Sequence, residues 1–281
     1  MTARSVLSGM MESVETELLG RRGVSFSIAK KNAGWTRESR GLSCWRCAES
    51  VGPHETDGDG CASCRSRKLA WDRSLRLGLH EGILRDAVLD LKFRRWTLTG
   101  MQLGMELGEA LNERIQEMGI QPQEAGIVPI PMTHRRRIKR GVDHTLVLAR
   151  GVSKATGIPV LRLLKARNRS EQVGLSATAR AKNMRGAFYT INSTPRVLKS
   201  SNTSVLRALI VLDDVRTTGS TLSEGCMCLK RVFGQIKGFS ATEVWSMSVT
   251  LAGSTRKVSV EYGGGGELLS KGGEIEQEDD A

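Results

Sequence analysis

Apolar and polar positions alternate in blocks along this chain, and the sharpest block is Ala208-Leu209-Ile210-Val211-Leu212, which ends in Asp213-Asp214. An unbroken aliphatic run of this kind predicts a strand covered on both faces, as in a parallel sheet. A small hydroxylated loop follows, Arg216-Thr217-Thr218-Gly219-Ser220-Thr221, and helical spacing then predicts a helix over 222–233. Upstream, Ile83, Leu84, Ala87, Val88 and Leu91 recur at helical spacing. So do Leu103, Leu107, Ala110, Leu111, Ile115 and Met118, which predict a helix over 99–118 with Gly119 as its stop. Trp71, Leu75, Leu77 and Leu79 alternate as in a strand. Further strands are predicted at 125–131, 160–164, 186–191 and 243–251, and another helix at 143–155 ended by Gly157-Ile158-Pro159. Strands alternating with helices give an α/β protein with a mostly parallel sheet.

The ends of the chain are different in kind. Val6, Leu7, Met10, Met11, Val14, Leu18 and Leu19 predict an amphipathic helix over 1–22, a packing or partner-binding element rather than a membrane-surface one. Residues 23–43 are polar, lack a period and read as a linker. Residues 192–205 are rich in Ser, Thr and Asn and read as an exposed connection, and the tail over 254–281 is Gly-rich and then acidic, a disordered composition. No run of eighteen apolar residues occurs, so no membrane insertion is expected. Glu12, Glu15 and Glu17 interrupt any secretory pattern, which points to a cytoplasmic protein with reduced cysteines.

Between linker and sheet lies the first candidate chemistry. Cys44-Trp45-Arg46-Cys47 and Cys61-Ala62-Ser63-Cys64 form two C-x-x-C knuckles separated by a loop-like stretch. Four thiolates satisfy tetrahedral zinc, and a closed ligand set means a structural Zn2+ site. Unligated or redox-active thiols are the alternative. His54, between the knuckles, reads as an exposed loop residue, and Cys226 and Cys228 read as packed small residues. The expected organisation is an N-terminal helix and linker (1–43), a zinc-ribbon-like module (44–68), an α/β domain (69–253) and the tail (254–281).

Charge adds a direction. The 42 Lys and Arg against 30 Asp and Glu give +12, which favours phosphates, nucleic acid or an acidic surface as partners. The density is highest in His134-Arg135-Arg136-Arg137-Ile138-Lys139-Arg140, expected as a stiff extended loop after Pro129 and Pro131. Pyrophosphate, a nucleic-acid backbone or plain solvation would each account for it. The acid pair and loop suit the opposite ends of a sugar phosphate. Asp213 and Asp214 can accept from ribose hydroxyls, while Thr217, Thr218, Gly219, Ser220 and Thr221 open a helix N-terminus toward a 5′-phosphate.

This acid-pair-and-loop stretch resembles the phosphoribosyl-pyrophosphate (PRPP) motif of type I phosphoribosyltransferases. The order of the remaining motifs narrows the resemblance. The cysteine knuckles precede His80-Glu81-Gly82-Ile83-Leu84 and Leu91-Lys92-Phe93, then Val128-Pro129-Ile130-Pro131 and Arg140-Gly141. Gln172-Val173-Gly174-Leu175-Ser176, Arg180, Asn183 and Gly186-Ala187-Phe188 follow. Over roughly 43–252 this order is similar to the ComF family, the competence-associated phosphoribosyltransferase-like proteins.

The resemblance implies a type I phosphoribosyltransferase-like sheet with flanking helices, a β-arm hood whose loop spans 166–185, and an N-terminal zinc module. It implies PRPP with Mg2+ as ligand, phosphoribosyl transfer to an acceptor the sequence does not reveal, and Arg135, Arg136 and Arg140 near the pyrophosphate. It also implies a role in DNA uptake during natural competence beside a DNA helicase. A non-catalytic binder of PRPP or single-stranded DNA is the alternative, with Trp45, Trp71 and Trp96 as the nearby stacking candidates. The chain departs from the family where relatives usually read R-G-F-N-Q. Arg140-Gly141-Val142-Asp143-His144 puts a negative charge near the pyrophosphate, and His144 is expected as an exposed polar residue.

Overall fold

The computed structural model describes residues 25–39, 41–167, 184–191, 206–236 and 241–253. The 1–22 helix, most of the hood loop, the 192–205 connection and the acidic tail lie outside these residues. Four parallel strands form the central sheet: β3 (Arg73–Leu79), β4 (Ala125–Pro129), β7 (Ala208–Arg216) and β8 (Glu243–Leu251), in the order β3-β8-β7-β4. Two short strands, β1 (Thr56–Asp57) and β2 (Gly60–Cys61), pair within the cysteine module, and β5 (Leu164–Ala166) pairs antiparallel with β6 (Phe188–Thr190) as a separate arm. The expected α/β architecture with a parallel sheet is present.

Helices cover both faces. On one, α3 (Gly82–Leu89), α4 (Thr97–Glu117) and α6 (His144–Thr156) pack over Leu77, Ile127, Ile210, Leu212 and Met247. On the other, α7 (Ser220–Phe233) covers Val128, Leu209, Val211 and Val244. The four-residue spacing of Leu103, Leu107, Leu111 and Ile115 puts all four on the buried stripe of α4, at most 2% exposed. Two glycines let α4 and α6 approach: a Cβ on Gly104 would strike the Leu148 carbonyl, and one on Gly151 the Met101 carbonyl. Backbone cannot yield as a side-chain end can. Gly104→Ala or Gly151→Ala is therefore expected to destabilise by about 2–3 kcal/mol, read as a fall in the urea midpoint.

Three stretches differ from the sequence reading. Phe26–Asn32, expected as linker, is a helix, α1. Its seven residues show no period because one anchor holds it: Phe26 is buried edge-on to Trp35, and Lys30 meets Glu106 at 2.5 Å. His134–Arg140, expected extended, is helix α5, with Thr133 accepting from the Arg136 N–H as N-cap and Gly141 (φ 71°) closing it. The second proline, Pro131, lies two residues before the Thr133 N-cap, outside the helix, so it does not interrupt it. Val160 makes only an isolated bridge to Ile127, and the arm strand begins at Leu164.

Candidate functional site

β7 runs four residues beyond the apolar block, to Arg216, so Asp213 and Asp214 sit in the strand's last turns of pleat rather than in a loop. Alternation places Asp214 on the face of Ile210 and Leu212, toward α3 and α6. There its Oδ1 meets Lys92 Nζ at 2.9 Å and its Oδ2 meets His144 Nε2 at 2.6 Å. Lys92 arrives from Asp90–Arg94, a π-turn that continues α3 and ends in Arg95 with a left-handed backbone (φ 61°). Such turns shift the side-chain direction of a helix and recur at functional sites. His144, expected exposed, is 7% exposed and lies in the first turn of α6.

These contacts separate the two acids electrostatically. Burial pushes the Asp214 carboxyl up, but the His144 hydrogen bond and the Lys92 charge outweigh it and hold the group well below the usual carboxylate range. Asp213 is half-buried, and burial together with the Asp214 charge raises it to about 7. His80 closes the cluster from the end of β3. Its Nδ1 shares a 2.8 Å hydrogen bond with Thr250 Oγ1, and burial and then Lys92 lower its pKa. Asp143 caps α6, accepting from Leu146 N–H at 3.3 Å, and pairs with Arg137 at 3.0 Å. Its charge is thereby engaged locally.

Immediately past β7, Thr217 and Thr218 are exposed and Gly219 takes a left-handed turn (φ 75°) to start α7. Gly219 offers no capping side chain, Thr218 Oγ1 takes only the Ser220 N–H at 3.4 Å, and no acid sits in the first turn, so the N-terminal dipole is left for an anion. Thr218 Oγ1 and Ser220 Oγ lie 3.1 Å apart at the rim, and Thr221 is half-buried behind them. Arg135 and Arg136 are exposed on α5, while Arg140 is half-buried with its guanidinium 5.8 Å from the Phe93 ring. The arm is tied to the same helix, because Gly186 N–H donates to the buried Glu224 carboxylate at 2.7 Å.

The predicted cysteines come together. Cys44, Cys47, Cys61 and Cys64 are all buried, with sulfurs within 4.8 Å of one another. Sulfur separations are 3.8 Å (Cys44–Cys64), 3.6 Å (Cys47–Cys61) and 3.8 Å (Cys61–Cys64). A tetrahedron with metal–sulfur bonds of about 2.3 Å has edges of ~3.8 Å, so the four residues fit such an ion. Hydrogen bonding from Cys47 lowers the Cys44 thiol to about 4, and the same bond raises Cys47. Cys226 and Cys228 are buried in α7 and packed, as expected. His54 is exposed and not among the ligands.

The stacking candidates change. Trp71 and Trp96 are each only 6% exposed, and Trp45 is half-buried under Arg73. Among the described residues the exposed aromatic side chains are Phe93 and Tyr189, and an arginine lies over each: Arg140 on Phe93, and Arg167 on Tyr189 at 5.0 Å. A separate cleft of about 420 Å3 outside β3 is lined by Lys30, Arg37, Glu38, Arg76, Glu106 and Glu113, whose charges pair across it. No described helix is long and apolar enough to cross a membrane.

No family model matches the chain. It is 27% identical over 190 residues to competence protein F of Haemophilus influenzae, covering 67% of this chain and 77% of that protein. It is also 27% identical over 194 residues to the DNA utilization protein YhgH of Escherichia coli, covering 68% and 78%. The YhgH protein of Salmonella typhimurium gives the same identity and coverage. The likeness to these proteins, together with a parallel α/β sheet and a four-cysteine cluster upstream of it, agrees with the ComF-family resemblance of the sequence motifs.

Proposed function

We propose that the protein binds PRPP with Mg2+ at the end of β7 and acts in DNA uptake or DNA utilisation, as the names of its relatives suggest. The observation that carries this reading is the N-terminus of α7, opened by Gly219 and free of acids in its first turn, directly after a carboxylate pair on a central parallel strand. Asp214 is held by Lys92 and His144, which leaves the half-buried Asp213 to accept from ribose hydroxyls. The backbone of 217–221 takes the 5′-phosphate. Arg135, Arg136 and Arg140 on α5 face the pyrophosphate, and Mg2+ bound together with PRPP would supply further charge neutralisation there. Transfer to an acceptor would proceed by departure of pyrophosphate with positive charge building on the ribose, so fixed charges matter more than a strong nucleophile. The cysteine cluster holds Zn2+ as a structural ion. The setting is cytoplasmic, beside a competence-associated DNA helicase.

A second ligand, single-stranded DNA, is favoured by two exposed aromatic rings each topped by an arginine, Phe93 under Arg140 of α5 and Tyr189 of the arm under Arg167, and by the exposed arginines of α5. Basic surface tracks phosphates, and exposed rings stack bases. Titration of Mg-PRPP and of a labelled oligonucleotide into three proteins separates the readings. Asp213→Asn is expected to weaken PRPP at least tenfold and leave DNA unchanged. Phe93→Ala with Tyr189→Ala is expected to weaken DNA by about 1–3 kcal/mol per lost stack and leave PRPP unchanged. Failure of wild type to bind PRPP ends the first reading. DNA affinity that is absent, or insensitive to salt, ends the second.

A further inference from the structure

We propose that the cysteine module sets the shape of the 217–221 loop, with Trp71 and Arg216 as the positioning residues. As an account of ligand affinity this rests on the phosphate role given to that loop.

The chain of contacts is short. Arg46 stands between Cys44 and Cys47, and its guanidinium ties the two knuckles together. Nη1 donates to the carbonyls of Asp59 at 2.8 Å and Cys64 at 2.9 Å, and Nη2 to that of Arg67 at 3.2 Å. The backbone carbonyl of the same Arg46 accepts from Trp71 Nε1 at 3.0 Å. At its far edge the Trp71 ring lies against the loop: Cη2 is 3.1 Å from where a Cβ on Gly219 would stand. The indole thus spans from a cysteine knuckle to the residue that opens α7.

A second contact runs beside it. Arg216, two residues before Thr218, places its guanidinium 5.7 Å from the Trp71 ring and Nη2 3.4 Å from Glu49 Oε1. The Glu49 carbonyl accepts from Cys44 N–H at 2.9 Å, so this partner too belongs to the first knuckle. Arg216 is 6% exposed. A buried guanidinium on one long ion pair is a poor stabiliser, and an apolar side chain would fill the space at less electrostatic cost. Its position is explained by what it joins. Distorting the knuckle displaces the Arg46 carbonyl and Glu49 together, and both contacts end at the loop backbone that is to receive the phosphate.

The test uses the full-length, zinc-loaded chain and two readouts: amide hydrogen exchange of the 217–222 peptide against the 125–129 peptide of β4, and affinity for ribose 5-phosphate. Trp71→Ala is expected to speed exchange in 217–222 at least tenfold with 125–129 unchanged, and to weaken ribose 5-phosphate at least tenfold. Trp71→Phe, which keeps an aromatic ring in the site but loses both the N–H and the indole edge that meets Gly219, is expected to give a smaller effect than Trp71→Ala, about two- to fivefold. Stripping the metal with a chelator should reproduce Trp71→Ala. Unchanged loop exchange in both Trp71→Ala and the stripped protein overturns the proposal. If Trp71→Ala also loosens 125–129, Glu49→Gln decides: faster exchange confined to 217–222 supports it, and no change overturns it. Loop exchange that responds in a wild type unable to bind ribose 5-phosphate upholds the coupling and removes the phosphate role instead.

Discussion

Asp214→Asn is expected to destabilise the protein by about 3 kcal/mol, while the same change one residue earlier, Asp213→Asn, is expected to stabilise it at pH 8. Asp214 is 5% exposed and is the shared partner of half-buried Lys92 and buried His144, so removing its charge leaves both groups without their carboxylate. Among the described residues Asp213 has no basic side chain paired to it, only the Asp214 N–H at 2.9 Å, and burial with the Asp214 charge raises it to about 7. The pH dependence follows from linkage. A carboxyl raised on folding adds stability below its unfolded pKa and loses it as pH rises through the folded value. For Asp213 that window runs from its ordinary value of 3.8 to about 7. Asp213→Asn should therefore gain at least ~1 kcal/mol at pH 8, roughly 2–4 °C in Tm, and gain nothing near pH 4. Asp214, held low, has the opposite sense: its contribution is complete above 3.8 and is lost as pH falls through its lowered folded pKa. Thermal melts of both variants at pH 4, 6 and 8 check the signs. Parallel behaviour of the two would contradict the division of labour between neighbouring acids.

Loss of the zinc proposed for the cysteine cluster is expected to be the second large effect. The cysteine module has few apolar residues beyond its own ligands, with Val51 buried and Leu69 packed against them. Small modules of this kind draw their folding free energy from the ion. Cys61→Ser or removal of the ion is expected to cost about 3 kcal/mol or more and to bring the ligand thiols, three in the variant and four in the stripped protein, within reach of thiol reagents together. Zinc release counted against thiol modification should give one ion per chain. Cys226→Ser, outside the cluster, should leave that stoichiometry unchanged. A metal-free chain with an unchanged melt would contradict a structural ion.

Much of this was legible because it was local. The aliphatic run at 208–212, the two C-x-x-C knuckles and the Leu103–Ile115 stripe each report one element's own environment, and each stands where its pattern put it. The partners of Asp214 were not legible as such. Lys92 and His144 lie more than a hundred and about seventy positions upstream of it, on elements that meet only when the sheet forms. Lys92 was visible within Leu91-Lys92-Phe93, but the π-turn that aims it breaks the helical period on which a pattern argument depends. His144 at a helix start reads as polar surface until α6 docks over β7. Arg216, without a role in the sequence, acquires one from Trp71 and Glu49, and the tryptophans that suggested base stacking are spent on packing. The charge of the basic run at 134–140 is plain in the sequence and stays exposed at Arg135 and Arg136, while its helical form depends on the Thr133 cap.

The most direct test of the central claim is a backbone-amide NMR footprint of Mg-PRPP on the full-length, zinc-loaded protein. The account predicts saturable one-to-one shifts, largest at the amides of 218–221, that persist in Phe93→Ala and weaken at least tenfold in Asp213→Asn. Shifts confined to other surfaces, or none at millimolar PRPP, would contradict it.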